Sequence, residues 1–135
     1  MVRHAFEGVK VLDLTSYIAG SFAATWLADL GADVVKIESP TGDPFRVTRG
    51  FLAWNRNKRG IVLDLKHPDG LAAFYRMVKQ ADVVMENYRP GVADRLGVGY
   101  DKLRELNPRI IYCSVSGYGQ TGPYSQKPAF DPLLQ

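Results

Sequence analysis

Val9-Lys10-Val11-Leu12-Asp13-Leu14, a helical-period run from Ile18 to Leu30, and Val34-Val35-Lys36-Ile37 follow one another within residues 9–38, and this succession decides the fold. From Val9 to Leu14 the residues alternate and β-branched types are frequent, which marks a strand. Phe22, Trp26, Leu27 and Leu30 recur at helical spacing, and Gly31 follows as a stop signal. Val34 to Ile37 is a second strand.

The same alternation continues outward. Ile61 to Leu65 reads as a third strand. Leu71, Phe74, Tyr75 and Val78 mark a helix that starts near His67-Pro68-Asp69, with Pro68 in the first turn, where its missing N–H costs nothing. Ala81 to Met85 is a fourth strand, Tyr100 to Leu106 a short helix closed by Asn107-Pro108, and Ile110 to Val115 a fifth strand. Strands alternating with helices at this spacing predict an α/β domain: a Rossmann-like, doubly wound, mainly parallel sheet, spanning residues 1–135 as one unit. Such sheets bind ligands beyond the carboxyl ends of their strands, here the loops that begin near Thr15, Glu38, Lys66, Glu86 and Ser116.

Composition removes several function classes. The chain has 135 residues, 17 basic against 14 acidic, and a formal charge of +3, too small to imply nucleic acid or membrane. One cysteine, Cys113, cannot make a disulfide framework, and with His4 and His67 far apart a zinc site is not expected. The most apolar window, Tyr17 to Val35, contains Asp29 and Asp33, whereas a membrane span needs ~20 nearly uncharged residues. The expectation is a soluble, cytoplasmic domain with no metal, no nucleic acid partner and no membrane partner.

Residues 39–60 stand apart, with Pro, Gly and Asn but little periodicity; loops this long tend to be functional or disordered. Arg46, Arg49, Arg56, Lys58 and Arg59 fall there without an acidic residue between Phe45 and Arg59. A solvated basic loop explains this, and so does a cradle for phosphate oxygens. Phe45, Phe51 and Trp54 would also let a base stack, as in single-strand nucleic-acid binding.

The turn Thr15-Ser16-Tyr17-Ile18-Ala19-Gly20-Ser21 lacks the G-x-G-x-x-G pattern, so Glu38 only imitates the ribose-binding acid of nicotinamide enzymes. After the fourth strand, Glu86-Asn87-Tyr88-Arg89-Pro90-Gly91 is either a polar turn or a site in which Asn87 hydrogen-bonds and Tyr88 offers a flat face. Gly117 to Tyr124 is rich in glycine, which frees backbone amides for a ligand. Asp131-Pro132 reads as an N-cap with Pro at the first helical position. That position also favours an ionised carboxylate, the form a nucleophile needs.

Taken together, Val11-Leu12-Asp13-Leu14-Thr15 with Ala19-Gly20, Leu30 to Glu38, Asn55-Arg56-Asn57-Lys58-Arg59, Leu63-Asp64-Leu65-Lys66, Glu86 to Gly91, Asn107-Pro108-Arg109 and Ser116 to Tyr124 resemble the N-terminal part of the family III CoA-transferases. That group includes formyl-CoA transferase, carnitine CoA-transferase and alpha-methylacyl-CoA racemase. The resemblance implies a CoA-binding domain with a catalytic aspartate after the glycine-rich loop, the place of Asp131. It implies that Ala19, Leu63, Lys66, Asn87, Tyr88 and Arg95 line the CoA site. CoA and acyl-CoA would be substrates rather than a resident cofactor, and a carboxylic acid would be the acceptor. The partner would be a second copy in a homodimer, or a complementing chain. Phe130 stands where racemases of the family have a catalytic His, which argues against racemization, and Ser39 stands where formyl-CoA transferase has an Arg. Family members are about three times longer, so residues 1–135 are expected to be the N-terminal part of a longer architecture, with a noncatalytic CoA- or partner-binding module as the alternative.

Overall fold

The computed structural model describes residues 4–129; Phe130 and Asp131 lie outside the described residues. Five strands form one sheet: β1 (Lys10–Asp13), β2 (Asp33–Glu38), β3 (Arg59–Val62), β4 (Val83–Glu86) and β5 (Ile111–Ser114). Their order is β3-β2-β1-β4-β5 and every pairing is parallel. The chain winds outward from β1 to β3, then crosses back to place β4 beside β1. The two halves therefore diverge between β1 and β4, the switch point at which doubly wound sheets open a crevice.

Among the described residues there are five α-helices: α1 (Ala19–Asp29), α2 (Gly50–Trp54), α3 (Pro68–Val78), α4 (Val92–Arg95) and α5 (Tyr100–Leu106). Side chains alternate across each strand, so the sheet buries two cores. Leu12, Leu14, Ile37 and Val84 meet Phe74, Val78 and Leu103 on the side of α3 and α5. Val11, Val34 and Met85 meet Ala24 and Ala28 of α1 on the other. Phe74 is wholly buried, and its truncation to Ala costs roughly 3–5 kcal/mol.

The expected α1 helix is present, but of its large apolar residues Leu27 alone packs against the core. Gly20, Ser21, Ala24, Thr25 and Ala28 face the sheet, while Phe22, Trp26 and Leu30 are exposed. Small residues let the helix sit close: a Cβ on Gly20 would come within 2.6 Å of the Thr15 side chain.

Residues 39–60 are not one loop. They hold a 3-10 turn at Pro44–Val47, capped by the Asp43 carboxylate on the Phe45 N–H at 2.8 Å, and then α2, anchored by buried Phe51. The third strand spans Arg59–Val62 rather than Ile61 to Leu65. As an edge strand it pairs only with β2, from Val35 opposite Arg59 to Glu38 opposite Val62. Leu63 and Leu65 instead turn inward against the core. Their alternation looks strand-like, but β2 ends at Glu38, whose carbonyl takes a last bond from the Leu63 N–H at 2.9 Å.

Candidate active site

Three loops meet at the switch point. The turn after β1 and the turn after β4 are joined by two hydrogen bonds: Ser16 N–H donates to Asn87 Oδ1 at 2.9 Å, and Asn87 Nδ2 donates to Ser16 O at 2.8 Å. The segment after β5 closes a third side. There Gly117 permits a close backbone approach, since a Cβ would lie 2.0 Å from the Ala129 Cβ. Between the loops is a cavity of about 530 Å³, bordered by Tyr17, Ile18 and Ala19, by Asn87, Tyr88 and Arg89, and by Ser116, Lys127 and Ala129. Its size suits a small ligand or the reactive end of a larger one.

The walls combine apolar surface with a few polar groups. The buried Glu86 carboxylate accepts from the Tyr88 N–H at 2.6 Å and so fixes the turn that carries Asn87 and Tyr88. Burial, then the negative charges of Glu86 and Asp13, push the Tyr88 phenol up to about 12. Tyr88 is therefore neutral over the ordinary pH range. Lys127 and Arg89 bring positive charge to the cavity, Lys127 with its ammonium 3.9 Å from the Tyr124 ring centroid.

Beneath the β1 turn lies a buried ionic cluster. Asp13 Oδ1 accepts from both the Thr15 N–H, at 2.9 Å, and the Thr15 hydroxyl, at 2.5 Å. Its other oxygen meets Lys58 Nζ at 2.8 Å, and that ammonium also donates to Ser21 O and Asn55 Oδ1. Burial draws the Lys58 pKa down, an effect that the Asp13 carboxylate only partly offsets. Lys36 donates to Thr15 O at 2.8 Å and lies 3.0 Å from Asp43 Oδ2, a charge contact without hydrogen-bond alignment. Glu38 takes two bonds from the Arg46 guanidinium, at 2.6 and 2.7 Å. Burial raises the Glu38 pKa, but the Arg46 bonds, the Asp43 amide and the nearby Lys36 charge lower it further, and the net shift is downward.

This cluster corrects the reading of the basic segment. Of its five cations, Lys58 is buried against Asp13, and Arg46, Arg56 and Arg59 pair with Glu38, Asp29 and Asp33. Only Arg49 makes no ion pair among the described residues. Three of these guanidiniums stay about half exposed or more, so the segment is partly solvated, and its ion pairs tie it to β1, α1 and β2 instead of leaving it an open phosphate cradle. Glu38, in the place of a ribose-binding acid, is likewise taken up by Arg46.

Of the residues expected at a CoA site, Ala19, Asn87 and Tyr88 come together on the cavity wall. Leu63, Lys66 and Arg95 do not line it. Leu63 packs against the core on the α3 side, Lys66 is exposed in the turn after β3, and Arg95 is exposed at the end of α4. Leu63 and Lys66 follow the carboxyl end of β3, and Arg95 follows β4 at the end of α4. β3 is two strands from β1, about 10 Å at ordinary strand spacing, so an extended ligand leaving the cavity can reach its carboxyl end. Lys127 was missed by sequence reasoning, where it is one cation in a Gly/Pro-rich stretch. Asp131 lies outside the described residues, two positions beyond Ala129 of the cavity wall. Among the described residues, no three His, Cys, Asp or Glu side chains gather to hold a metal ion. No helix among them is long and apolar enough to cross a membrane.

The family model described as CoA-transferase family III matches residues 6–135. The chain belongs to CoA-transferase family III. Among its relatives, the acetyl-CoA:oxalate CoA-transferase of Acetobacter aceti is 47% identical over 139 residues, covering 96% of this chain and 36% of that protein. The human succinyl-CoA:glutarate CoA-transferase is 45% identical over 137 residues, covering 94% of this chain and 31% of that one. A crystal structure of a CAIB/BAIF family protein from Brucella suis superposes with a TM-score of 0.91 at 39% identity, covering 96% of this chain and 38% of that chain. This family III chain thus spans about a third of the length of the relatives it matches.

Proposed function

We propose that residues 1–135 form the CoA-binding N-terminal part of an enzyme that transfers coenzyme A from an acyl-CoA to a carboxylic acid. The observation that carries this is the switch-point cavity with Ala19, Asn87 and Tyr88 on its wall, in a chain of this family. The thioester end of acyl-CoA enters the cavity, and the nucleotide end runs along the carboxyl edge toward Lys66 and Arg95, whose charges suit phosphate. The complete enzyme works as a cytoplasmic homodimer in this reading.

The chemistry uses a carboxylate nucleophile, with Asp131 as the candidate. Its oxygen attacks the thioester carbon and expels CoA thiolate, leaving a mixed anhydride. The thiolate attacks the aspartyl carbonyl and releases the donor acid, giving an aspartyl-CoA thioester. The acceptor carboxylate repeats the two steps in reverse, forming the new acyl-CoA and restoring the aspartate. One negative charge passes from oxygen to sulfur and back, so no proton has to be moved and no general base is needed. Dividing the exchange in this way conserves the thioester's energy. Neutral Tyr88, Asn87 and the cations Arg89 and Lys127 are the groups at hand to stabilise the developing oxyanions.

The test is to incubate the complete protein with acyl-CoA, quench with hydroxylamine or borohydride, and map the product by mass spectrometry. A modified Asp131, with activity lost in Asp131→Asn, supports the full reading. Modification of a different carboxylate overturns Asp131 as nucleophile and retains the transfer. No acyl-CoA-dependent modification and no transfer overturns the function.

A further inference from the structure

We propose that Tyr17 is a specificity-determining residue, whose ring limits the length of the acyl chain that the cavity admits. The inference rests on the CoA-transfer reading of the same cavity and goes one step further, to its selectivity.

Tyr17 has φ +59, in the left-handed region where a bulky residue is an outlier. The other such non-glycine residue among those described is Asn57, at φ +62, a residue type that tolerates this conformation. The cause lies on both sides of Tyr17. Thr15 is held by Asp13 and Lys36, Ser16 by its paired bonds to Asn87, and the Ile18 carbonyl already accepts the Phe22 N–H at 2.7 Å as α1 opens. The chain must therefore turn from a clamped strand end into a helix at one residue.

Tyr17 belongs to neither core cluster. The residue is 48% exposed, and its aromatic neighbour is the Phe45 ring, tilted with centroids 6.3 Å apart. Tyr17 does border the cavity, together with Ile18 and the cations Arg89 and Lys127. A strained, half-exposed residue outside both cores with a place on a ligand-sized cavity points to a role toward the ligand. Cations suit the carboxylate or the thioester oxygen; the Tyr17 ring, backed by Phe45, then meets the aliphatic part and restricts it to a few carbons.

The test uses the complete protein and isotope exchange between an acyl-CoA and its own free acid, which needs no knowledge of the natural acceptor. Labelled acetate with acetyl-CoA and labelled octanoate with octanoyl-CoA are compared in wild type, Tyr17→Asn and Tyr17→Phe. Asn tolerates the left-handed backbone and removes the ring; Phe keeps the ring. The expected result for Tyr17→Asn is a Tm no lower than wild type and an octanoyl-to-acetyl exchange ratio raised about tenfold or more. Tyr17→Phe keeps the wild-type ratio. An unchanged ratio in Tyr17→Asn, a change equal in both variants, or a fall in Tm that shows a merely structural role overturns the proposal. No exchange in wild type with either ester overturns the transfer reading itself, and this proposal with it.

Discussion

Ser16 and Asn87 hold each other by a reciprocal pair of hydrogen bonds across the switch point of the sheet, at 2.9 and 2.8 Å. Residues 71 positions apart thus become one wall of a cavity. Replacing Asn87 by Ala removes both bonds and leaves the partly buried Ser16 amide and carbonyl unpaired. The expected cost is about 1–3 kcal/mol in denaturant unfolding and, for the proposed transfer by the complete protein, a KM for acyl-CoA raised more than kcat is lowered. An unchanged KM would show that this pair does not shape the site.

Lys58 and Asp13 test the buried cluster beneath the turn. Both side chains are essentially inaccessible, at 1% and 0% exposure, so Lys58→Met leaves a buried carboxylate without its cation. Breaking such a pair from one side costs about 3–5 kcal/mol. The double variant Lys58→Met/Asp13→Asn removes the charge that is stranded, and should recover a substantial part of that loss in urea melts. Equal losses in the single and double variants would contradict the account.

Tyr88 should titrate late. Its phenol is pushed up to about 12, so the difference in ultraviolet absorbance between wild type and Tyr88→Phe should show no ionisation near pH 10, where an ordinary tyrosine titrates. The linkage has a definite sign: the folded chain holds this proton more tightly than the unfolded one. The stability tied to Tyr88 is full below pH 10 and is lost as pH rises toward 12.

Glu38 works in the opposite direction. Its pKa is lowered on balance, so its contribution is present above the ordinary value of 4.5 and is lost as pH falls through the folded value. Arg46 is half exposed, and solvent screening keeps the pair near 1 kcal/mol, by order of magnitude. The stability difference between wild type and Arg46→Gln should accordingly be present at pH 7 and shrink below pH 4.5. A difference independent of pH would assign the effect to Arg46 packing on the Phe51 ring, 4.3 Å away, instead of to charge.

Much of this is legible in the amino-acid sequence. Strand and helix periods from Val9 to Ile37 gave the right order and type of elements, because each of these segments carries its own local pattern. The places that misled are those where tertiary partners decide. Leu63 makes the last backbone bond to β2, at Glu38 O, and Leu65 alternates like a strand with no strand left beside it, while α1 buries its small residues and Phe22 and Trp26 face out. Lys58 in a run of cations looks like a phosphate ligand until Asp13, 45 residues away, is seen to hold it. In the cavity, Asn87 and Tyr88 belong to a recognisable motif. Tyr17 and Lys127 carry no local signal, because what matters about them is a backbone angle in one case and a shared cavity in the other.

The central claim, that acyl-CoA enters the cavity between β1 and β4, meets its most direct test in calorimetric titration of CoA into the complete protein and its Ala19→Trp variant. Ala19 is exposed at the start of α1 and borders the cavity, so an indole there fills the space without disturbing either core. The account predicts an unchanged Tm and a Kd for CoA raised at least about tenfold, which corresponds to ~1.4 kcal/mol. CoA binding of equal strength in the two proteins would place the coenzyme elsewhere and contradict it.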